Sequence, residues 1–320
     1  MYSKIMVPLD GSPLAEHALP YAVTLAKRLD AELLLLRVTE VAPLLDDTPD
    51  KELEVIKGAE DYLELVRNAI IDPASESALD PEKVRTLVAY GDSKRELTEL
   101  APFEKTDLIV MTTHGRTGLT KLVAGSVATK IVRNVDIPVV LIRPEKIDKT
   151  EPLEETLHEA TSLEVPENNM RVVVTLDGTP EAEVAVDKAV ELASNLGASL
   201  YLLRVVSPYT PMEYSDVSTG YVLDNTEETQ YRREEAYKYL DKVQERITAM
   251  GFNSVKVVRI GNAADEITDY VSKVQASMVV MATHARGRLG SVLMGSVAEE
   301  IVRRSHLPVM VIHSQVPAHV

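Results

Sequence analysis

Asp10 and Asp177 each stand in the frame L-D-G-[ST]-P directly after a short apolar run, and Gly125-Ser126 and Gly295-Ser296 each precede an apolar-periodic segment. The segments leading to these Gly-Ser pairs, MTTHGRTGLTKLVAGS and MATHARGRLGSVLMGS, are rich in small and hydroxyl residues that let backbone amides approach an anion. The helix that follows would present its positive end to the same anion. Blander readings stand beside these. Each aspartate could close an Asx turn or cap the next helix. Ser296-Val-Ala-Glu299 fits a capping box, which would make that serine a cap, and a cap and a phosphate contact use the same geometry. His114 and His284 invite a general-base reading, but no nucleophile and orienting acid complete a catalytic set, so both are read as structural hydrogen-bonding residues. No catalytic residue is assigned.

These residues come in pairs because the chain is one domain written twice. Residues 107–144 recur without a gap as 277–314, and Val7–Val38 matches Val174–Val205. A repeat this long implies two complete globular units, since solenoid and propeller repeats run to only about 20 to 50 residues. In the first half, short apolar runs at Ile5–Leu9, Leu33–Val38, Val84–Val88, Leu108–Met111 and Val139–Ile142 alternate with helical spacing. Leu14, Ala18, Tyr21, Ala22, Leu25 and Leu29 mark one helix, and Ile56, Ala59, Leu63, Val66 and Ile70 another. Further helices are predicted at Ser93–Leu100 and Val127–Val135. The second half repeats the course from Val172–Leu176 to Val309–Ile312, with its long helix predicted at Glu234–Met250 after a polar loop, Ser207–Thr226. The fold class is therefore α/β, two tandem doubly wound five-stranded parallel-sheet domains. Their bounds are read as 1–146 and 170–314, with a linker at 147–169, one helical turn around Leu153–His158, and a tail at 315–320. Ligands of such sheets sit outside the carboxyl ends of the strands, where the acid, the small-residue loop and the Gly-Ser pair all fall.

Bulk chemistry narrows the partners. Among 320 residues, 50 acidic against 34 basic side chains leave a net charge of −16, which repels phosphate backbones and anionic lipid. Nucleic acid and membrane are excluded as partners on that ground. No apolar run approaches the roughly 20 residues that span a bilayer, and the first residues lack a secretory pattern, so a cytoplasmic location is expected. The absence of cysteine removes disulfides, thiolate metal sites and thiol nucleophiles.

At these residues the chain resembles the universal stress protein family over nearly all of both halves. ATP-binding members carry a G-x-x-G-x9-G-[ST] loop after strand four, an acid after strand one and a β-branched residue ending strand two. Here Thr112, Gly115, Gly125 and Ser126 fall on the loop, Asp10 on the acid and Val38 on the strand-two position. The resemblance implies a Rossmann-like fold of the adenine nucleotide alpha hydrolase type, binding ATP, or ADP or AMP, as a stress-response regulatory module. The backbone of Val38 would pair with adenine, Asp10 would reach the nucleoside, and Gly115, Gly125 and Ser126 would hold phosphates, with Mg²⁺ or Mn²⁺ between them. Pro8, Met111, Thr112 and Val127 complete the implied first site. Asp177, Val205, Ala282, Gly295, Ser296 and Val297 make the corresponding second one. Which residues would hold the metal is left open.

The copies depart from the pattern unequally. Thr112 replaces one glycine in the first half; in the second, Ala282 and Ala285 replace both leading glycines, and Thr175 replaces Pro8. A Cβ in a left-handed backbone costs about 1–2 kcal/mol, roughly ten-fold in affinity, so the first site is expected to be the stronger. Gly287 and Gly290 could restore a usable loop in another register. Two alternatives remain: a nucleotide-free protein–protein interaction module, or a slow ATP hydrolase. P-loop ATPases lack their motif here, ATP-pyrophosphatases would need Ser-Gly-Gly-x-Asp-Ser where Asp-Gly-Ser-Pro stands, and receiver domains would need an acid where Ala89-Tyr90-Gly91 and Arg259-Ile260-Gly261 stand. In the resembled family dimers form around the last strand, which begins here at Pro138 and Pro308. Intramolecular pairing of the halves is expected, and further homodimerisation is left open.

Overall fold

In the computed structural model the described residues are 2–40, 49–75, 77–113, 125–143, 170–208, 226–284 and 294–314. The implied linker, the turn around Leu153–His158 and the tail lie outside them. Five strands belong to each half: β1 Lys4–Pro8, β2 Glu32–Thr39, β3 Val84–Tyr90, β4 Leu108–Thr112 and β5 Val139–Ile142, then β6 Arg171–Thr175, β7 Ser199–Val206, β8 Ser254–Ile260, β9 Met278–His284 and β10 Val309–Ser314. They form a single ten-stranded sheet in the order β3-β2-β1-β4-β5-β10-β9-β6-β7-β8. Pairing is parallel within each half and antiparallel where β5 meets β10.

Both faces of the sheet are covered, which is why Leu33, Leu34, Leu35 and Leu36 run without alternation and all sit at 0% exposure. One face packs α2 Leu19–Leu29 and α3 Pro49–Ile70 in the first half, and α6 Pro180–Leu196 and α7 Thr226–Ala249 in the second. The other face packs α4 Ser93–Phe103, α5 Ser126–Asn134, α8 Ala263–Lys273 and α9 Ser296–Arg304. Each apolar cluster contains residues of both halves, so the two cores are continuous across the β5–β10 seam.

Two helices differ from their expected form. The helix read as continuous from Leu14 to Leu29 is broken into α1 Pro13–Glu16 and α2, because Pro20 has no N–H to offer the preceding turn; in the second copy α6 runs unbroken with Asp187 at the matching place. Helix α7 starts at Thr226, ahead of the predicted Glu234. Its first turns hold no apolar stripe for periodicity to detect, and are supported by Glu227 and Glu228 near the positive helix end and by an Arg232–Glu228 ion pair at 3.0 Å.

The seam obeys the repeat. Val140 stands opposite Met310, with Val139 opposite Val311 and Leu141 opposite Val309. Val140 and Met310 are equivalent positions of the two copies, and the flanking pairs are exchanged by a pseudo-twofold axis that passes through this pair. The prolines that open these strands keep useful carbonyls: Pro138 accepts from the Ile109 N–H and Pro308 from the Val279 N–H, both at 3.0 Å. A further stitch joins the halves where Tyr2, 2% exposed, donates its hydroxyl to the Lys188 carbonyl at 3.1 Å.

Candidate functional site

Strands β2, β1 and β4 are adjacent and parallel, so whatever follows their carboxyl ends shares one edge of the sheet. Pro8 ends β1 and pairs with Leu36; the Leu9 N–H then donates to the Leu36 carbonyl at 2.8 Å, which keeps the chain alongside β2 up to Asp10. Val38 lies near the end of β2 and is packed toward the α4–α5 face. Met111 and Thr112 end β4, each 6% exposed, and the Thr113 N–H continues the ladder to the Ile142 carbonyl at 2.8 Å. The chain returns to this edge at Gly125, whose N–H donates to the Thr113 carbonyl. Asp10, Val38, Thr112 and Gly125-Ser126-Val127 are therefore gathered at one end of the first-half sheet. Gly115, His114 and Arg116 lie outside the described residues.

Local chemistry explains the frame around the acid. Asp10 Oδ1 accepts from the Ser12 N–H at 2.9 Å and from its hydroxyl at 2.5 Å, an Asx turn, while Ser12 caps α1 by accepting from the Ala15 N–H at 3.3 Å. Pro13 then takes the first helical place, where a missing N–H costs nothing. The second half is built alike: Asp177 Oδ1 accepts from the Thr179 N–H at 2.9 Å and its hydroxyl at 2.6 Å, and Thr179 caps α6. The turn reading holds for both aspartates. Asp10 is half-buried, whereas Asp177 is exposed.

The serine is not the cap that the sequence suggested. Gly125 and Gly295 occupy the cap positions of α5 and α9, with no side-chain cap hydrogen bond at either, and Ser126 and Ser296 are the first helical residues, both exposed. Side-chain capping normally satisfies one of the four N–H groups that open a helix. Here glycine supplies no such acceptor, so these ends keep their donors and their positive character.

In the second half Asp177 follows β6, Val205 lies in β7, and Met281 and Ala282 lie in β9, which pairs with β10 as far as His284. Because β5 and β10 are antiparallel, the carboxyl ends of the two sets of strands point in opposite directions. The described residues of the two candidate sites consequently lie at opposite edges of the sheet. Ala285, Gly287 and Gly290 fall outside the described residues. Among the described residues no cluster of three or more His, Asp or Glu side chains could hold a metal ion, and no helix is long and apolar enough to cross a membrane.

Sequence reasoning missed one constellation. Glu16, Arg37 and Tyr62 meet beneath the Asp10 turn: the Tyr62 hydroxyl donates to Glu16 Oε1 at 2.8 Å, and the Arg37 guanidinium lies 4.7 Å from the Tyr62 ring centre. Burial raises the Glu16 pKa above its usual 4.5 despite the tyrosine bond, and burial with the Glu16 charge pushes Tyr62 up as well. Glu183, Arg204 and Tyr239 repeat the arrangement, with Arg204 4.7 Å from the Tyr239 ring centre. Glu16 and Arg37 are identical to Glu183 and Arg204 in the repeated block, which was signal enough for two members of each set. Tyr62 and Tyr239 escaped because they lie where the copies fall out of register.

Two doubly wound α/β units sharing one sheet, each with an acid-bearing turn and an uncapped helix start at its strand ends, define a tandem α/β protein of the Rossmann-like kind. The chain belongs to the universal stress protein family, which matches it over residues 1–143 and again over 168–313. A universal stress protein of Methanocaldococcus jannaschii is 32% identical over 146 residues, covering 46% of this chain and 85% of that protein. One from Mycobacterium tuberculosis is 22% identical along 96% of this chain and 94% of its own length, so the tandem arrangement is shared. The crystal structure of a universal stress protein from Archaeoglobus fulgidus superposes with a TM-score of 0.67 at 20% identity, covering 98% of this chain and 99% of that one, and shows the same fold.

Proposed function

We propose that this chain binds an adenine nucleotide, ATP or its products ADP and AMP, at the carboxyl edge of the first-half strands, as a regulatory module with no catalytic set. The observation that carries this is the start of α5: an uncapped helix end with a serine in its first position, brought by Gly125 to the same sheet edge as Asp10 and Val38. Such an end suits a phosphate chain. In this reading the Val38 backbone meets the base, Asp10 the ribose, and Gly115, Gly125 and Ser126 the phosphates, flanked by Pro8, Met111, Thr112 and Val127. A universal stress protein of solved structure is in complex with cAMP; the reading for this chain rests on its own residues.

Mg²⁺ or Mn²⁺ fits as a companion of the phosphates. Mg²⁺ is usually held by one or two carboxylates plus substrate phosphates, and Asp10 is the acid at this edge. The ion would neutralise phosphate charge in a chain of net charge −16. Binding in the second half, through Asp177, Val205, Ala282, Gly295, Ser296 and Val297, is proposed to be weaker, because Ala282 and Ala285 stand where the first half has Thr112 and Gly115 and because Asp177 is exposed.

Titration with a fluorescent ATP analogue tests the reading. Gly115→Asp, which sets a carboxylate against the phosphates, is expected to abolish most binding, while Ala285→Asp costs little. Equal losses would overturn the ranking of the sites. Absence of nucleotide from the denatured protein's supernatant by mass spectrometry, together with no thermal shift in Mg-ATP, would instead favour the nucleotide-free interaction module.

A further inference from the structure

Each half holds a partly buried charged set that nucleotide contacts leave unexplained, and its position relative to the glycine after the acid gives it a role. Gly11 has φ +80°, a left-handed backbone, and a Cβ built on it would lie 3.0 Å from Arg37 Nη2; Gly178 has φ +89°, and its Cβ would lie 2.6 Å from Arg204 Nη2. The arginine therefore lies close over the turn, whose left-handed backbone favours glycine. Gly11 is the neighbour of Asp10, and Arg37 is the neighbour of Val38. One guanidinium thus spans the two segments that the nucleotide reading assigns to ribose and base, while Tyr62, tied to Glu16 at 2.8 Å, provides its floor.

We infer that Arg37 is a positioning residue for the nucleotide site, clamping the Asp10 turn to the carboxyl end of β2 so that the acid is held at a set distance from the Val38 backbone. This rests on the nucleotide reading above. A planar guanidinium suits the task because it stacks on the ring with one face and packs on backbone with the other. The second copy repeats the stacked pair, with Arg204 over Tyr239, and there Arg246 also takes the Glu183 carboxylate at 2.8 Å.

The experiment uses the full chain with Arg37→Met, Tyr62→Leu and Tyr62→Phe. Amide hydrogen exchange across Leu9–Ser12 is read without ligand, and affinities for ATP and 2′-deoxy-ATP are then measured. Arg37→Met and Tyr62→Leu are expected to speed exchange of the Ser12 amide, weaken ATP about ten-fold and shrink the preference for ATP over 2′-deoxy-ATP. Tyr62→Phe keeps the ring and should stay near wild type in all three. Unchanged Ser12 exchange in Arg37→Met overturns the clamp whatever the nucleotide data say. Faster exchange with unaltered affinity and unaltered ribose preference overturns its role in binding. A wild-type protein that binds no ATP overturns the nucleotide reading and this role with it, and the exchange data distinguish that outcome from failure of the clamp.

Discussion

Glu16 shows how a single side chain can be held against its own preference. It is 6% exposed, and loss of water around its carboxylate raises its pKa even though Tyr62 donates to it. The folded protein therefore binds more protons than the unfolded chain over the interval that begins at the usual 4.5 and extends upward to the folded value. The contribution of Glu16 to stability therefore falls as pH rises through that interval. Glu16→Gln removes the ionisation and keeps an oxygen for Tyr62. Denaturant midpoints measured from pH 4.5 to neutrality should show a flatter profile and a higher midpoint at neutral pH for the variant. A steeper profile, or a lower neutral midpoint, would show that the Glu16 charge is stabilised in place.

At the scale of elements, the informative contrast is between helices that are capped and helices that are not. Ser12, Thr179, Asp92 and Asn262 each accept a backbone N–H at the start of α1, α6, α4 and α8. Helices α5 and α9 instead begin after glycine, with no such bond. Removing a true side-chain cap costs about 1 kcal/mol. Ser126→Ala lies one place inside the helix, so thermal unfolding should change by less than about 0.5 kcal/mol, while ATP affinity should fall about ten-fold through loss of a charge-assisted hydrogen bond. A stability loss equal to that of Asp92→Ala would show that Ser126 serves as a cap.

For the whole molecule, the continuous sheet predicts that the covalent link between the halves is dispensable for their association. The β5–β10 ladder, the two apolar clusters that include residues of both halves, and the Tyr2–Lys188 bond all act independently of residues 147–169. A protease site placed in that segment and cut after folding should leave two fragments that elute together in size exclusion and unfold in one transition. Separate elution at micromolar concentration would show that the seam is weak. The antiparallel seam also sets the candidate sites at opposite edges, so ligands at both can bind without collision.

The sequence by itself determined the two-unit organisation, the strand and helix order and the strand ends where the candidate residues gather, because two-face burial writes runs such as Leu33–Leu36 and amphipathic packing writes the spacing of Ala59, Leu63, Val66 and Ile70. It also marked Asp10, Val38, Gly125 and Ser126, whose frames recur in both copies. Local pattern was blind to the early start of α7, where polar turns carry no apolar period, and it misjudged Ser296, since a capping box and a helix that begins one residue earlier spell the same letters. Only the tertiary structure decided the register of Val140 against Met310 and the opposed direction of the two sites. It alone placed Arg37 over Gly11 and Tyr62, because those contacts join residues distant in the chain, and such distances are set by how sheet and helices pack rather than by any periodicity along the backbone.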